Sequence, residues 1–205
     1  ETQDEVAGIL WEVAEVKKDP LFFADQMDLS EYPTSLGGSY QKRNVKGVLG
    51  SLRVLKAFPV REKDIKSGLL KVAENTGLQG RWQVLGERPG IIFDTAHNPA
   101  GLELVLKQLL EQPYKELHIV LGFVREKPLE KVLPLFPRNA RYYFARPQIP
   151  RGLDATVLKE AALEHGLQGK VYPSIEEALK DAVQQAHPED LIFVGGSTFV
   201  VAEVV

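Results

Sequence analysis

Residues 80–99 read GRWQVLGERPGIIFDTAHNP and combine a turn, a short strand and the start of a helix. The run Ile91–Phe93 is apolar and partly β-branched, which favours a strand buried on both faces, and Asp94 follows it directly. Asn98 is a good helix N-cap and Pro99 suits the first helical position, so we expect a helix from Pro99. In open α/β sheets, ligands lie beyond the carboxyl ends of the strands, beside helix N-termini. We therefore expect a ligand-facing edge just after Asp94.

The composition is that of an ordinary globular protein. The 205 residues are 44% hydrophobic and 26% charged, enough for one large domain, or for one domain and part of another. The net charge of −3 argues against nucleic acid as the main partner, and the absence of cysteine excludes disulfides and thiolate metal sites. No signal peptide or apolar run of transmembrane length is recognisable. We expect a cytoplasmic protein without a membrane partner, and a monomer.

The sequence pattern of residues 1–78 predicts a mainly helical segment. The spacing Thr2-x-x-Glu5 matches a capping box and predicts a first helix, while Leu21–Ala24 predicts a strand. Two more helices follow, the second ending at Asn75-Thr76-Gly77, a common composition for a helix C-terminus. Because one strand cannot make a sheet, this segment needs partner strands from elsewhere. We expect the chain to be a piece of a longer protein.

From Gly80 onward, the pattern becomes a regular alternation of strands and helices. The strands are expected at residues 91–93, 117–121, 142–145, 170–172 and 191–194, each followed by a helical segment, the last of them apolar. Short βα connections of this kind predict an α/β fold, with a mostly parallel, Rossmann-like sheet and helices on both faces. This domain is expected to span residues 79–205.

The residues that follow the expected strands share one edge of such a sheet. They are Asp94, Gly122, Arg146 and Gly195-Gly196-Ser197. The glycines before Ser197 suit a nest of backbone N–H groups for an anion, and they equally suit a tight βα turn. No G-x-G-x-x-G or P-loop pattern occurs, which disfavours a dinucleotide site.

Five separated motifs carry a family resemblance that covers essentially the whole chain. They are residues 1–6, 38–44, Gly80-Arg81-Trp82, 94–99 and 195–199. In this order and spacing, the sequence resembles the folylpolyglutamate synthase / dihydrofolate synthase branch of the Mur ligase superfamily. It departs from the family pattern at Thr95, where glycine is usual, and at Tyr40, where histidine is frequent.

The resemblance implies a domain organisation and a reaction. Residues 1–78 would be the C-terminal part of a central ATP-binding domain, and residues 79–205 the Mur ligase C-terminal domain. ATP would phosphorylate a folate or dihydropteroate carboxylate, and L-glutamate would attack the acyl phosphate. The family's P-loop and Mg²⁺ ligands belong to an earlier part of the central domain, so no metal ligand is expected among these residues.

The resemblance also implies roles for single residues. Asn44 would contact the adenine, although an N-cap role is as plausible from the sequence alone. Arg81 would reach the ATP phosphates and act as a catalytic residue, unless it is an ordinary surface arginine. Asp94 would bond the ribose. His97, the second catalytic candidate, would lie near the phosphates and the incoming glutamate, and Ser197 would help to hold glutamate.

The role of Lys127 and two alternative functions remain open from the sequence alone. Lys127 resembles a family lysine but suits an ordinary solvated position equally well. The chain could belong to another Mur-type amino-acid ligase, although Gly-Arg-Trp before the strand favours the folate branch. It could also be a non-catalytic α/β binding domain, which the missing P-loop would permit.

Overall fold

The structure is a computed structural model that describes residues 2–55 and 57–205. The chain divides into two compact units, Glu1–Gly77 and Leu78–Val205, one residue from the boundary expected after residue 78. Across the described residues, no helix has both the length and the apolar character needed to cross a membrane.

The first unit is helical. It contains α1 (Asp4–Lys17), a 3₁₀ turn (Ala24–Gln26), α2 (Gln41–Val54), α3 (Glu62–Leu70) and α4 (Val72–Thr76). Its small core consists of Val45 and Leu49, one turn apart on α2, and Leu69 on α3. By contrast, α1 has no buried residue. Little apolar surface therefore holds this unit together.

Three expectations for the first unit were wrong. The single helix expected to end at residues 75–77 is two helices, α3 and α4, which are separated at Lys71. Leu21–Ala24 is not a strand, because Phe23 is buried beside the Trp11 ring, 6.0 Å between centroids, and a 3₁₀ turn starts at Ala24. The capping box is also absent, since Gln3 is the N-cap of α1 and gives no side-chain cap. The Thr2 backbone N–H instead donates to the Asp25 carboxylate, at 2.9 and 3.0 Å from its two oxygens.

The second unit contains a six-stranded sheet, and it confirms the α/β prediction. Its strands are β1 (Gln83–Glu87), β2 (Gly90–Phe93), β3 (Leu117–Leu121), β4 (Arg141–Ala145), β5 (Gly169–Tyr172) and β6 (Leu191–Gly195). The order is β1-β2-β6-β3-β4-β5, and only β1, paired with β2, is antiparallel. The helices are α5 (Pro99–Leu110), α6 (Leu129–Val132), α7 (Ala155–Glu164), α8 (Ile175–Gln185) and α9 (Thr198–Ala202).

The core of this unit lies around the central strands. All five residues of β3 are buried, so both faces of the sheet are covered there. On one face, α8 contributes Ile175, Ala178 and Ala182, which follow helical spacing and are fully buried. The parallel pairing of β2 and β3 with β6 places the carboxyl ends of these three strands at one edge of the sheet.

Strand β1 was not expected, and α6 is shorter than expected. Val84 and Leu85 on β1 are largely exposed, so this edge strand lacks the buried face that marks a strand in the sequence. The apolar spacing from Leu129 to Phe136 predicted one helix. Instead α6 gives way to a 3₁₀ turn, Leu133–Leu135, because Pro134 cannot continue the backbone hydrogen bonds of the helix.

Candidate functional site

The ends of β2, β6 and β3 meet at one edge of the sheet, as the sequence predicted. The Asp94 N–H donates to the Val194 carbonyl at 3.1 Å, which places the residue after β2 beside the end of β6. Gly196 has a φ of +95°, and a Cβ there would lie 2.7 Å from the Gly122 carbonyl oxygen. Only glycine allows so close an approach, and the structure brings Asp94, Gly122 and residues 195–197 together.

Asp94 ties the Gly-Arg-Trp turn to the loop after β2. Its carboxylate is buried, and each oxygen accepts a backbone N–H at 2.8 Å, one from Trp82 and one from Ala96. The Thr95 N–H donates to the Gly80 carbonyl at 2.9 Å. The two segments therefore form one hydrogen-bonded structure, in which Asp94 has a positioning role.

Arg81 lies at the exposed tip of this structure. Its neighbours Gly80 and Trp82 both have left-handed backbone conformations, with φ of +70° and +47°, and Trp82 is buried. For Trp82 such a conformation is unusual and is held by the bond to Asp94. Among residues 2–55 and 57–205, the Arg81 guanidinium has no hydrogen-bond or ion-pair partner. Its planar set of donors is available to an anion.

His97 follows in the same loop and is exposed. Its Nδ1 lies 3.1 Å from the Thr95 carbonyl oxygen. Because a carbonyl only accepts hydrogen bonds, Nδ1 carries the proton in the neutral ring and Nε2 is left as the base. The Asn98 side chain accepts the Gly101 N–H at 2.7 Å, so α5 begins at Pro99 as predicted.

Ser197 is the buried N-cap of α9, and its Oγ accepts the Phe199 N–H at 3.2 Å. The Arg151 guanidinium lies over the Phe199 ring, 4.9 Å from its centroid. Arg151 was not among the residues expected at this edge. The Arg151 carbonyl accepts the Arg125 N–H at 3.0 Å, so the loops after β3 and β4 are joined. This contact between distant segments leaves no local sequence signal.

Asn44 belongs to the first unit and lies inside α2. The N-cap alternative was therefore wrong, because Tyr40 is the N-cap of α2. The Asn44 side-chain amide donates to the Gln41 Oε1 at 2.9 Å. It lines an open groove along α2 whose walls are Arg43, Asn44, Gly47, Val48, Ser51, Leu52 and Leu55.

A second polar cluster lies at the amino ends of β3 and β6, at the opposite edge of the sheet from Asp94. It contains His118 and Asp190, both buried. Burial lowers the pKa of His118, and the nearby Asp190 offsets this shift only in part. The imidazole is therefore neutral at pH 7.

The fold and the edge around Asp94 define a class of protein. Residues 80–198 match the family model described as Mur ligase, glutamate ligase domain. The match covers more than half of the chain, and the chain belongs to this family.

Individual relatives point to one branch. The dihydrofolate synthase/folylpolyglutamate synthase of Escherichia coli K12 is 29% identical over 199 residues, which are 96% of this chain and 44% of that protein. The structure of E. coli FolC in complex with DHPP and ADP has a TM-score of 0.65 and 30% identity, and the match covers 78% of this chain and 37% of that one. The bifunctional folylpolyglutamate synthase/dihydrofolate synthase of Yersinia pestis CO92 shares the fold, with a TM-score of 0.74 and 23% identity over 95% of this chain and 48% of that one. The chain thus spans less than half the length of these relatives.

Proposed function

We propose that the chain is the C-terminal part of an ATP-dependent amide ligase that joins L-glutamate to a folate or dihydropteroate carboxylate. Membership of the glutamate ligase family supports this proposal. The observation that carries it furthest is the structure formed by the Gly-Arg-Trp turn and the loop after β2. There the Asp94 carboxylate fixes the turn, and Arg81 extends from it without a partner among the described residues.

The reaction proceeds through an acyl phosphate. A carboxylate oxygen of the acceptor attacks the γ-phosphorus of ATP, and ADP leaves. The glutamate amino group then attacks the acyl carbon, loses a proton, and expels phosphate that carries the former carboxylate oxygen. Both steps concentrate negative charge on phosphate oxygens, so positioned cations are the main catalytic requirement.

Arg81, Asp94 and Asn44 suit the nucleotide. The Arg81 fork can bond two phosphate oxygens at once. The buried Asp94 carboxylate lies at this edge, and a carboxylate is a hydrogen-bond acceptor of the kind that ribose hydroxyls need. The Asn44 amide, on the open groove of α2, can donate to and accept from the edge of an adenine.

His97, Ser197 and Arg151 suit the incoming amino acid. The free His97 Nε2 can accept the proton that the glutamate amino group loses. Arg151 and the start of α9, capped by Ser197, place positive charge where a glutamate carboxylate can bind. Lys127, half-buried in the loop after β3, adds a further cation to this edge.

When bound, Mg²⁺ would neutralise charge on the ATP phosphates. Among the described residues, the group with metal-ligand spacing is Glu116, His118 and Asp190, which is not at this edge. We propose that the Mg²⁺ ligands belong to the rest of the enzyme.

An acceptor panel with the full-length protein tests the proposed function. We expect phosphate release to need ATP and glutamate together with dihydropteroate or tetrahydrofolate. Release with a UDP-N-acetylmuramyl peptide instead would assign the chain to another Mur-type ligase. No release with any acceptor would indicate a binding domain.

A further inference from the structure

Glu116, His118 and Asp190 form a compact cluster at the amino ends of β3 and β6. One nitrogen or carboxylate oxygen from each residue lies within 4.8 Å of the others. His118 and Asp190 are buried, while the Glu116 side chain is about half exposed. The cluster lies across the sheet from the proposed ligase edge, and the proposed reaction does not use it.

Hydrogen bonds hold the cluster in place. The two oxygens of the Asp190 carboxylate accept the backbone N–H groups of Glu116, at 3.0 Å, and of His187, at 2.7 Å. Each oxygen still has a lone pair to offer. The His118 Nδ1 lies 2.8 Å from the Tyr143 hydroxyl. When Nδ1 donates to this hydroxyl, the ring orientation is fixed and Nε2 carries a lone pair.

The His118 Nε2 is unsatisfied. It is buried and has no hydrogen-bond partner among the described residues, although the Asp190 Oδ2 lies only 3.4 Å away. A buried polar atom without a partner is costly. Two ligands that are each about 2.1 Å from a tetrahedral cation lie about 3.4 Å apart. The separation of Nε2 and Oδ2 thus fits a shared metal ion.

We propose that Glu116, His118 and Asp190 bind one divalent transition-metal cation of the Zn²⁺ type. One imidazole nitrogen and two carboxylates are a suitable donor set for Zn²⁺, whereas Mg²⁺ prefers oxygen ligands. Tyr143 is the outer partner that orients the imidazole. A bound water completes four-fold coordination.

Arg141 competes with this cation. Its guanidinium lies 2.6 Å from a Glu116 carboxylate oxygen, and it must release this oxygen when the metal binds. Because the Glu116 side chain is half exposed, it can rotate away from Arg141 and bring its carboxylate onto the metal ion. Binding joins the segment before β3 to the turn before β6 and therefore stabilises the second unit.

The proposal is tested by titrating the protein with Zn²⁺ and no other ligand. We expect calorimetric titration of the purified full-length protein, without nucleotide, to show a tight Zn²⁺ site, with a rise in the melting temperature at saturation. Glu116→Gln removes an exposed ligand without disturbing the core and should weaken binding about tenfold or more. Arg141→Gln removes the competitor and should tighten it. Mg²⁺ should give neither effect.

Glu189→Gln is the matched control. Glu189 is an exposed carboxylate next to Asp190 that pairs with Lys115 and is not part of the cluster. This variant should bind Zn²⁺ as the wild type does. Equal Zn²⁺ affinity in the Glu116→Gln and Glu189→Gln variants would overturn the proposal, and so would the absence of a tight site in the wild type.

Discussion

Arg81 owes its position to its neighbours rather than to contacts of its own. Gly80 and Trp82 turn the backbone, and the side chain between them is exposed. In the full-length enzyme, Arg81→Ala should cost about 3 kcal/mol of transition-state stabilisation, because a charge-stabilising donor is lost. Arg88→Ala, an exposed arginine between β1 and β2, is the control. Equal kcat/KM for ATP in the two variants would remove Arg81 from the site.

Asp94 should matter for stability as well as for nucleotide binding. In Asp94→Asn, one carboxylate oxygen becomes an NH₂ group that faces a backbone N–H, so a buried donor loses its acceptor. We expect the free energy of unfolding to fall by about 1–3 kcal/mol and the KM for ATP to rise. Urea unfolding measures the first effect and steady-state kinetics the second.

The control for Asp94 is Glu103→Gln, which changes an exposed carboxylate on α5. Its effect on stability should stay within about 0.5 kcal/mol. If Asp94→Asn is no less stable than this control, the proposed positioning role is wrong.

At the residue scale, the sequence could place Asp94 and His97 but not their environment. A polar residue directly after an apolar run predicts a strand end, which located Asp94, and the helix start at Pro99 located His97. The left-handed conformation of Trp82 depends on a hydrogen bond twelve residues away along the chain. The position of Arg151 likewise depends on residues distant in the sequence, because it is held at the edge by contacts with Phe199 and the loop after β3.

Helix caps are the testable feature at the element scale. The Asp154 carboxylate accepts the N–H groups of Thr156 and Val157 at the start of α7, and these hydrogen bonds lower its pKa. A carboxyl whose pKa is lowered by folding stabilises the protein above its unfolded pKa, and this contribution is lost as the pH falls through the folded value. The loss of unfolding free energy caused by Asp154→Ala should therefore be constant above about pH 5 and shrink as the pH falls below about 4.

Ser174→Ala is the matched control at the element scale. Ser174 caps α8 with a hydroxyl that accepts the Glu177 N–H at 3.2 Å. Its loss should cost about 1 kcal/mol at every pH, because a hydroxyl does not titrate in this range. Urea unfolding across the pH series measures both variants. If the loss of unfolding free energy has the same pH dependence in both variants, the account of Asp154 is wrong.

The elements that the sequence predicted correctly are those with strong periodicity or a local cap. Strand β3 is a buried apolar run, and Asn98 and Ser174 both cap their helices as expected. The capping box predicted at Thr2 does not form, because the Thr2 N–H donates to the Asp25 carboxylate, which belongs to another segment. Such tertiary contacts override a local pattern and are not visible in it.

At the scale of the whole molecule, the two units should differ in stability. The second unit has a continuous buried core, whereas α1 buries no residue and exposes Val6, Ile9, Leu10, Trp11, Val13 and Val16. In the isolated chain we expect hydrogen exchange to be slowest in β3 and β6 and fast throughout the described residues of the first unit. Helix α8 serves as an internal standard. Protection of α1 equal to that of α8 would contradict the expectation that the first unit is incomplete.

The passage of the acceptor's oxygen into phosphate tests the ligase proposal most directly. The full-length protein is supplied with ATP, glutamate and dihydropteroate that carries a heavy-oxygen label in its carboxylate. An acyl phosphate intermediate predicts one labelled oxygen in each phosphate released, in step with formation of the glutamyl amide. Unlabelled phosphate, or release that does not need both glutamate and the acceptor, would contradict the account.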